Sequence, residues 1–414
     1  MTRTVPAKTR LKVGSIQDDL RLEAGATVET DDSTINITGT IECEGDAQFK
    51  GDLTAKSLRA NKGRVIVSGS LKVSDEIVVQ EGSLEVAGDA DARSVNIDQS
   101  LSIGGDLRAD TVEVGGQTRV TGQTSSRMIN VGDILECRGR VDAEEILVGH
   151  SIAIHNLAKL GRLDVGGSVN LAGGQIMGST VVGGVLQSNR PLSFDAMDVG
   201  GSIVLTGSNK GGEIRIGGRA KVEGDLEFKT LQVSGRAEVT GSFRGVSADI
   251  GGLLEVGKSI EVSGSLKVGT RIAVGETLHS RSLELAGTLD AKLASVDETA
   301  KIGGMISTRK GLKASRIETA SNWEVRGPLV ADEVDLASNA DAEDVYALDL
   351  RMGDGAKASN LFSARIQIGD NCTVTKSIEY TDLVKVGTDL TAEPGMPRKV
   401  KELPKFPSIQ ISDH

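Results

Sequence analysis

The sequence predicts an all-β fold, a single-stranded, three-sided β-solenoid with about 17 residues per coil and about 22 coils. Three columns of apolar residues carry that prediction. The first is a glycine-flanked aliphatic position that recurs every seventeen residues, at Val114, Val131, Val148, Val165, Val182, Val199, Ile216, Val233 and Ile250. A second column runs in step through Leu171, Leu205, Val222, Val239 and Val256, interrupted by Ser188, and a third holds Leu226, Phe243 and Ile260. Passing from Val222 to Phe228, Val233 and Val239 takes six, five and six residues, so each repeat has room for three short strands separated by tight corners.

Each element of the repeat has a physical reason. Leu231-Gln-Val233 and Leu254-Glu-Val256 alternate apolar and polar residues, as a strand with one buried face requires. A strand this short cannot bury that face alone. Stacking coils at ~4.8 Å joins the faces into one aliphatic core and pairs the backbone vertically. The Gly-Gly pairs mark the corners, where a sharp turn favours glycine and often a positive φ. On the outer surface, Asp249, Lys267, Glu284 and Lys301 share one column and alternate in sign, which suits directly stacked neighbours.

The step lengthens by one residue between Ile250 and Val268, and the other columns slip with it, from Val256 to Val274 and from Ile260 to Leu278. This predicts a local bulge absorbed by all three faces. The pattern resumes at Leu285 and Ile302, weakens near Thr319, and returns at Leu336, Met352, Ile368 and Val386. Towards the N-terminus it is traceable through Ile97, Val79, Ile37 and Val13 with less regular spacing. The expected organisation is a short basic tail over 1–10, a continuous solenoid over 11–390 some 100 Å long (about 4.8 Å per coil), and a Pro-rich, Lys-containing tail over 391–414.

Composition narrows the function classes. The net charge is −11; residues 1–10 carry +3 and residues 391–414 carry +1, leaving −15 on the solenoid. So acidic a surface argues against nucleic-acid binding, which needs a basic stripe. No residue cluster suggests a cofactor, a metal or a small-molecule substrate. Cys43, Cys137 and Cys372 lie far apart in sequence and are expected to be reduced core residues. His150 and His155 fall close together, but no carboxylate or cysteine with ligand spacing joins them. The Gly-Gly pairs open no helix, so they are not phosphate loops, even where Gly252 precedes Gly257-Lys-Ser259, which runs between two strand-like segments. One Trp and two Tyr, all beyond residue 320, provide no sugar-binding platform of the kind β-helix lyases use. Nothing near Met1 resembles a signal peptide and no apolar run is long enough for a bilayer, so a cytoplasmic location is expected.

Strand edges at the ends of a solenoid are the remaining candidate sites, because unpaired edges must be covered or will pair with another chain. The expected polymerisation residues are Leu11 and Val13 at one end, and Leu383, Val384 and Val386 at the other. In the C-terminal tail, Lys399, Lys401, Leu403, Lys405, Phe406, Ile409 and Ile411 mix basic and apolar character, the pattern of a docking peptide for another protein or an anionic membrane surface at the inner face of the membrane. Within that tail, Ser408-Ile-Gln-Ile-Ser412 alternates like a strand and is an alternative cover for an edge.

The short strands with glycine corners, such as Val233-Ser-Gly-Arg-Ala-Glu-Val239 and Leu254-Glu-Val-Gly-Lys-Ser-Ile-Glu-Val-Ser-Gly264, together with uninterrupted coils and flanking tails, resemble the bactofilins. These are bacterial and archaeal cytoskeletal proteins with a triangular right-handed β-helix. The resemblance covers about 380 residues at the level of pattern. It implies a homopolymer, with nucleotide-independent, end-to-end, non-polar filaments that scaffold partners, often at the membrane. Two features depart from the family: the solenoid is longer than usual, and the short apolar membrane-binding segment of many members is missing from residues 1–8. Two other classes stay open. One is a non-catalytic β-helix subunit of an enzyme complex, like those in glutamate synthase and formylmethanofuran dehydrogenase. The other is a left-handed β-helix acyltransferase, which wants eighteen residues per coil rather than seventeen.

Overall fold

In the computed structural model, which describes residues 2–393 and 395–405, the chain forms stacked coils of parallel strands, with no helix among the described residues. It divides into two compact units, residues 1–206 and 207–414. In the first unit a representative coil consists of Leu107–Val114 and Gln117–Val120. Each residue lies beside its counterpart seventeen positions on: Val112 pairs with Ile129, Val114 with Val131, and Thr118 with Leu135.

Three faces are present, as the columns predict, but only two of the three corners interrupt a strand. In Leu107–Val114 the side chains of Leu107, Ala109, Val112 and Val114 are buried, and the neighbours Asp110 and Thr111 both point outward. Two consecutive outward residues turn the strand onto the next face without breaking its pairing. The second unit repeats this in Leu226–Val233, followed by Arg236–Val239.

At the corner after the Val114, Val131 and Val148 column, the glycines owe their place to close stacking rather than to positive φ. Gly132 and Gly149 are not among the residues with left-handed backbone. A Cβ on Gly132 would sit 2.0 Å from the carbonyl oxygen of Gly115, and one on Gly149 would sit 2.0 Å from that of Gly132. Side chains at this corner would therefore push the coils apart. Late in the second unit the corner changes chemistry: Asn322, Asn339 and Asn371 adopt positive φ (66°, 58° and 55°), and the Asn339 amide donates to Asn322 Oδ1 at 3.0 Å. Asparagine tolerates this conformation, so these turns dispense with a Gly-Gly pair.

The one-residue slip has a single origin. Gly245 pairs with Val262, seventeen residues on, whereas Ala248 pairs with Leu266, eighteen on. One coil later Val262 pairs with Ser280, and Ser265 pairs with Ser282, restoring seventeen. The extra residue thus sits at one corner, near Ser263–Ser265. All columns shift together because any comparison across that corner counts it once, so the bulge is not shared by three faces.

Stacking also passes the expected limits in each unit. Arg3–Val5 already pairs with Leu20–Leu22, and in the second unit Thr391–Ala392 pairs with Thr373–Val374 while Arg398–Lys399 pairs with Glu379–Tyr380. Hence the first ten residues and the start of the Pro-rich segment belong to coils. The irregular spacing before Val79 comes partly from Ala26–Ile37, where pairing jumps between Glu29 and Thr34 and leaves Asp31–Ser33 exposed.

Packing is aliphatic, with local exchanges of volume. Phe228 pairs with Gly245, and a Cβ on Gly245 would come within 2.1 Å of the Phe228 ring. Phe243, fully buried, packs its ring 4.6 Å from that of Phe228. The interruption of the second column is also accommodated: Ser188 is buried and donates to the Arg190 carbonyl at 2.8 Å. By contrast, the buried Thr118 hydroxyl has no hydrogen-bond partner. All three cysteines are free and buried, and burial raises the thiol pKa of Cys43 to about 12 and of Cys137 to about 11.

Two outcomes follow for urea denaturation. Gly245→Val should destabilise the second unit by about 1–3 kcal/mol through overpacking, and adding Phe228→Leu should recover part of that loss. Thr118→Val should be neutral or stabilising by up to about 1 kcal/mol, because it removes an unsatisfied buried hydroxyl while keeping the shape.

Candidate functional site

The outer surface is organised as ladders whose rungs neutralise one another. The column Asp249, Lys267, Glu284 and Lys301 is formed as expected. Lys267 and Glu284 approach to 3.0 Å, and this contact, with Asp249 on the other side, raises the Lys267 pKa. Parallel rungs in the second unit join Lys210 to Glu227 at 2.6 Å and Arg244 to Glu261 at 3.0 Å. In the first unit Glu136 takes the Arg119 guanidinium at 2.9 Å and lies 3.8 Å from His155, and the arginine lowers its pKa. His155 is therefore attached to an ion-pair hub, and His150 stands exposed at the preceding corner. Among the described residues no group of three His, Cys, Asp or Glu side chains could hold a metal ion.

A surface groove on the second unit carries the same chemistry. Arg316 meets Glu333 at 2.9 Å, and Arg365 grips both carboxylate oxygens of Asp349. That grip lowers the Asp349 pKa and raises that of Arg365. Charges engaged in rungs are poorly suited to acid–base work, since each stabilises the other in its ionised form.

Aspartates at one corner form a second set of vertical ties. Asp89 Oδ1 accepts the Asp106 N–H at 2.8 Å, and Asp106 Oδ1 accepts the Gln123 N–H at 2.8 Å. In the second unit Asp225 Oδ1 accepts the Ser242 N–H at 2.8 Å while its Oδ2 accepts the Ser208 hydroxyl at 3.2 Å. At the corner that follows Ile368, Asp370 makes a similar tie, accepting the Thr388 N–H at 2.6 Å. These backbone donors lower the pKa of Asp225 and Asp370. Sequence patterning passed over them, although Asp89 and Asp106 stand seventeen residues apart just before the strands that open their coils.

The expected edge residues divide into unlike groups. Leu11 lies over Val28, and the Val13 N–H donates to the Glu29 carbonyl at 2.8 Å; both side chains are half-buried. In the same first coil Val5 and Ile16 are buried, while exposed Arg3 takes the place above Leu20 in an otherwise apolar inward column. At the edge of the second unit, Val384 pairs with Ile366 and Val386 with Ile368, both buried. Val386 is 43% exposed because no strand lies over it among the described residues. Leu383, expected alongside the valines, instead continues the outward column above Arg365 and is 48% exposed. It flanks the open edge without belonging to the core.

In the C-terminal tail, Lys399 is part of a strand paired with the last long coil, Lys401 and Lys405 are exposed, and Leu403 is half-buried. Phe406, Ile409 and Ile411, together with the alternating segment 408–412, lie outside the described residues. The structure also brings out a stripe that the sequence reading missed. Val330, Tyr346 and Phe362 occupy one outward column in three successive coils, with the Tyr346 and Phe362 rings stacked at 4.9 Å. Leu348, 53% exposed, stands at the adjoining corner. The available signal was apolar residues at positions that other coils give to charges.

The chain matches no family model, no curated protein and no solved structure.

The aspartate ties make stability depend on pH. The folded pKa values of Asp225 and Asp370 lie below the unfolded value of about 3.9, so the stabilisation from these two is complete above that value and lost as pH falls through the folded pKa. Urea midpoints should be level between about pH 5 and 7 and decline below about pH 4. Asp225→Asn should reduce that decline for the second unit, as followed by circular dichroism across the pH series.

Proposed function

We propose that the protein is a structural element of the bactofilin type that associates end to end through its terminal coils, without nucleotide or cofactor. The observation that carries this reading is the open edge at Val384–Val386. Two valines that continue buried columns are left uncovered there, on a strand whose far side has no partner among the described residues. Open apolar edges of this kind are templates for another chain. The surface is compatible with the same reading, since many of its charges are paired in rungs between coils.

The two edges carry the proposal unequally. Arg3 in the inward column would place a charge inside a stacked interface, so Val384 and Val386 are the principal contacts and Leu11 and Val13 secondary ones. Partner proteins or an anionic membrane surface reached through Lys399, Lys401 and Lys405 belong to the same proposal, as does a cytoplasmic location. No helix of the described residues is long and apolar enough to cross a membrane. A second reading, a non-catalytic scaffold within an enzyme complex, is favoured by the half-buried outward stripe of Val330, Tyr346 and Phe362 beside exposed Leu348, which suits an apolar partner surface.

Negative-stain imaging and sedimentation velocity of the purified protein test the first reading. Filaments should form at physiological salt without added nucleotide, and Val386→Lys should shorten them at least several-fold. Monodisperse particles at high concentration, or filaments unaffected by Val386→Lys and Val384→Lys, would sink it. Co-purification with a fixed partner that is lost on Phe362→Asp would favour the second.

A further inference from the structure

The open edge is not bare on all sides. Past the coil of Thr373–Val386, the chain lays Thr391–Ala392 along Thr373–Val374 and then Arg398–Lys399 along Glu379–Tyr380. These two strands cover two of the three faces and leave the face of Val384–Val386 without a covering strand. Their hold is slight. The Thr391 N–H donates to the Cys372 carbonyl at 2.9 Å, the Glu393 N–H to that of Val374 at 3.2 Å, and the Val400 N–H to that of Tyr380 at 2.9 Å. One ion pair, between Arg398 and Glu379, is added on the outside. Of the paired residues, Thr391, Arg398 and Lys399 are exposed and Ala392 is half-buried, so almost no apolar surface secures the strands. Segments with few buried apolar groups open at low cost compared with the coils beneath them.

We propose that Thr391–Ala392 and Arg398–Lys399 form a displaceable cap that regulates assembly. Resting on the end-to-end reading above, it occupies two faces of the edge a second copy would need and limits that copy to the strip at Val384–Val386 until it lifts. Assembly then requires the cap to leave, and whatever weakens the cap promotes growth. Cys372 is the natural reporter. It is fully buried in the coil below, its thiol donates to the Gly353 carbonyl at 3.2 Å, and its own carbonyl is held by the cap's Thr391.

The test uses the full chain. Arg398→Glu turns the ion pair into a repulsion, and Thr391→Pro deletes a cap hydrogen bond; each should speed alkylation of Cys372 at least ten-fold, read by mass spectrometry, with Cys43 and Cys137 unchanged. Both should lower the critical concentration for filaments at least three-fold. A Glu379→Cys/Arg398→Cys pair, neighbours in the parallel register, should lock the cap when oxidised and abolish growth, with dithiothreitol restoring it. A locked protein that polymerises like the reduced one overturns the cap, as does Cys372 labelling that stays as slow as Cys43 in both loosened variants. Faster labelling with no filaments from any variant upholds the displaceable segment and overturns the assembly reading.

Discussion

Stacking at a fixed vertical spacing is the constraint on which everything else in this protein rests. Each residue has as its nearest neighbours the residues one coil before and one coil after, ~4.8 Å away, so a choice at one position is at once a condition on two others. Inside, this selects columns of similar aliphatic side chains, such as Val112, Ile129 and Ile146. Rings are few, and at Phe228 a neighbour, Gly245, gives way to one. At corner positions such as Gly132 and Gly149 it removes the side chain, because the carbonyl of the coil below already fills the space of a Cβ. Outside, the same spacing makes like charges costly and opposite charges mildly favourable, and the ladders alternate accordingly.

Exposed ion pairs contribute little singly, ~0.5 kcal/mol each, and their larger effect is on register. A slip of one coil would set Lys267 beside another lysine, Lys301, instead of beside Glu284. A slip of one residue along the strand would turn Val268 outward and Lys267 inward. The aspartate ties act in the same sense, since each carboxylate reaches the backbone of one particular residue in the next coil. A molecule built from near-identical layers has many nearly equivalent ways to misalign, and these polar contacts make them unequal.

How much of this was legible in sequence depends on whether a feature repeats. The inward columns recur at a constant step and are dominated by burial, so the faces, the coil length and the ladder of Asp249, Lys267, Glu284 and Lys301 could be read directly. Features that occur once, or that depend on which backbone group lies beside a side chain, could not. The extra residue near Gly264 looked like a bulge on every face because column counting cannot place an insertion within its coil. Prolines beyond residue 390 suggested a chain leaving the solenoid, yet pairing at Thr391–Ala392 and Arg398–Lys399 needs only short stretches free of proline. Leu383 shared the apolar character of Val384 and Val386, and only the register separates it from them. The stripe of Val330, Tyr346 and Phe362 was hidden because residues sixteen apart coincide there, where the seventeen-residue count no longer holds.

The vertical constraint also decides where a partner can be accommodated. Along the sides, backbone groups are already paired with the coils above and below, and many charged side chains have found a rung. At an edge, the strand's N–H and C=O groups and the inward residues lose their neighbours together, so backbone and apolar demands coincide. The edge at Arg3 answers with a charge in the inward column and with Val5 and Ile16 already buried. The edge at Val386 offers two uncovered valines beside two faces that carry a weakly held strand. Protection by an intrinsic charge is permanent, whereas protection by a paired segment can be withdrawn. If both edges had carried an arginine in the core column, end-to-end association would have no apolar surface to start from. The edge of the second unit, covered on two faces and bare on the third, keeps that surface while restricting access to it.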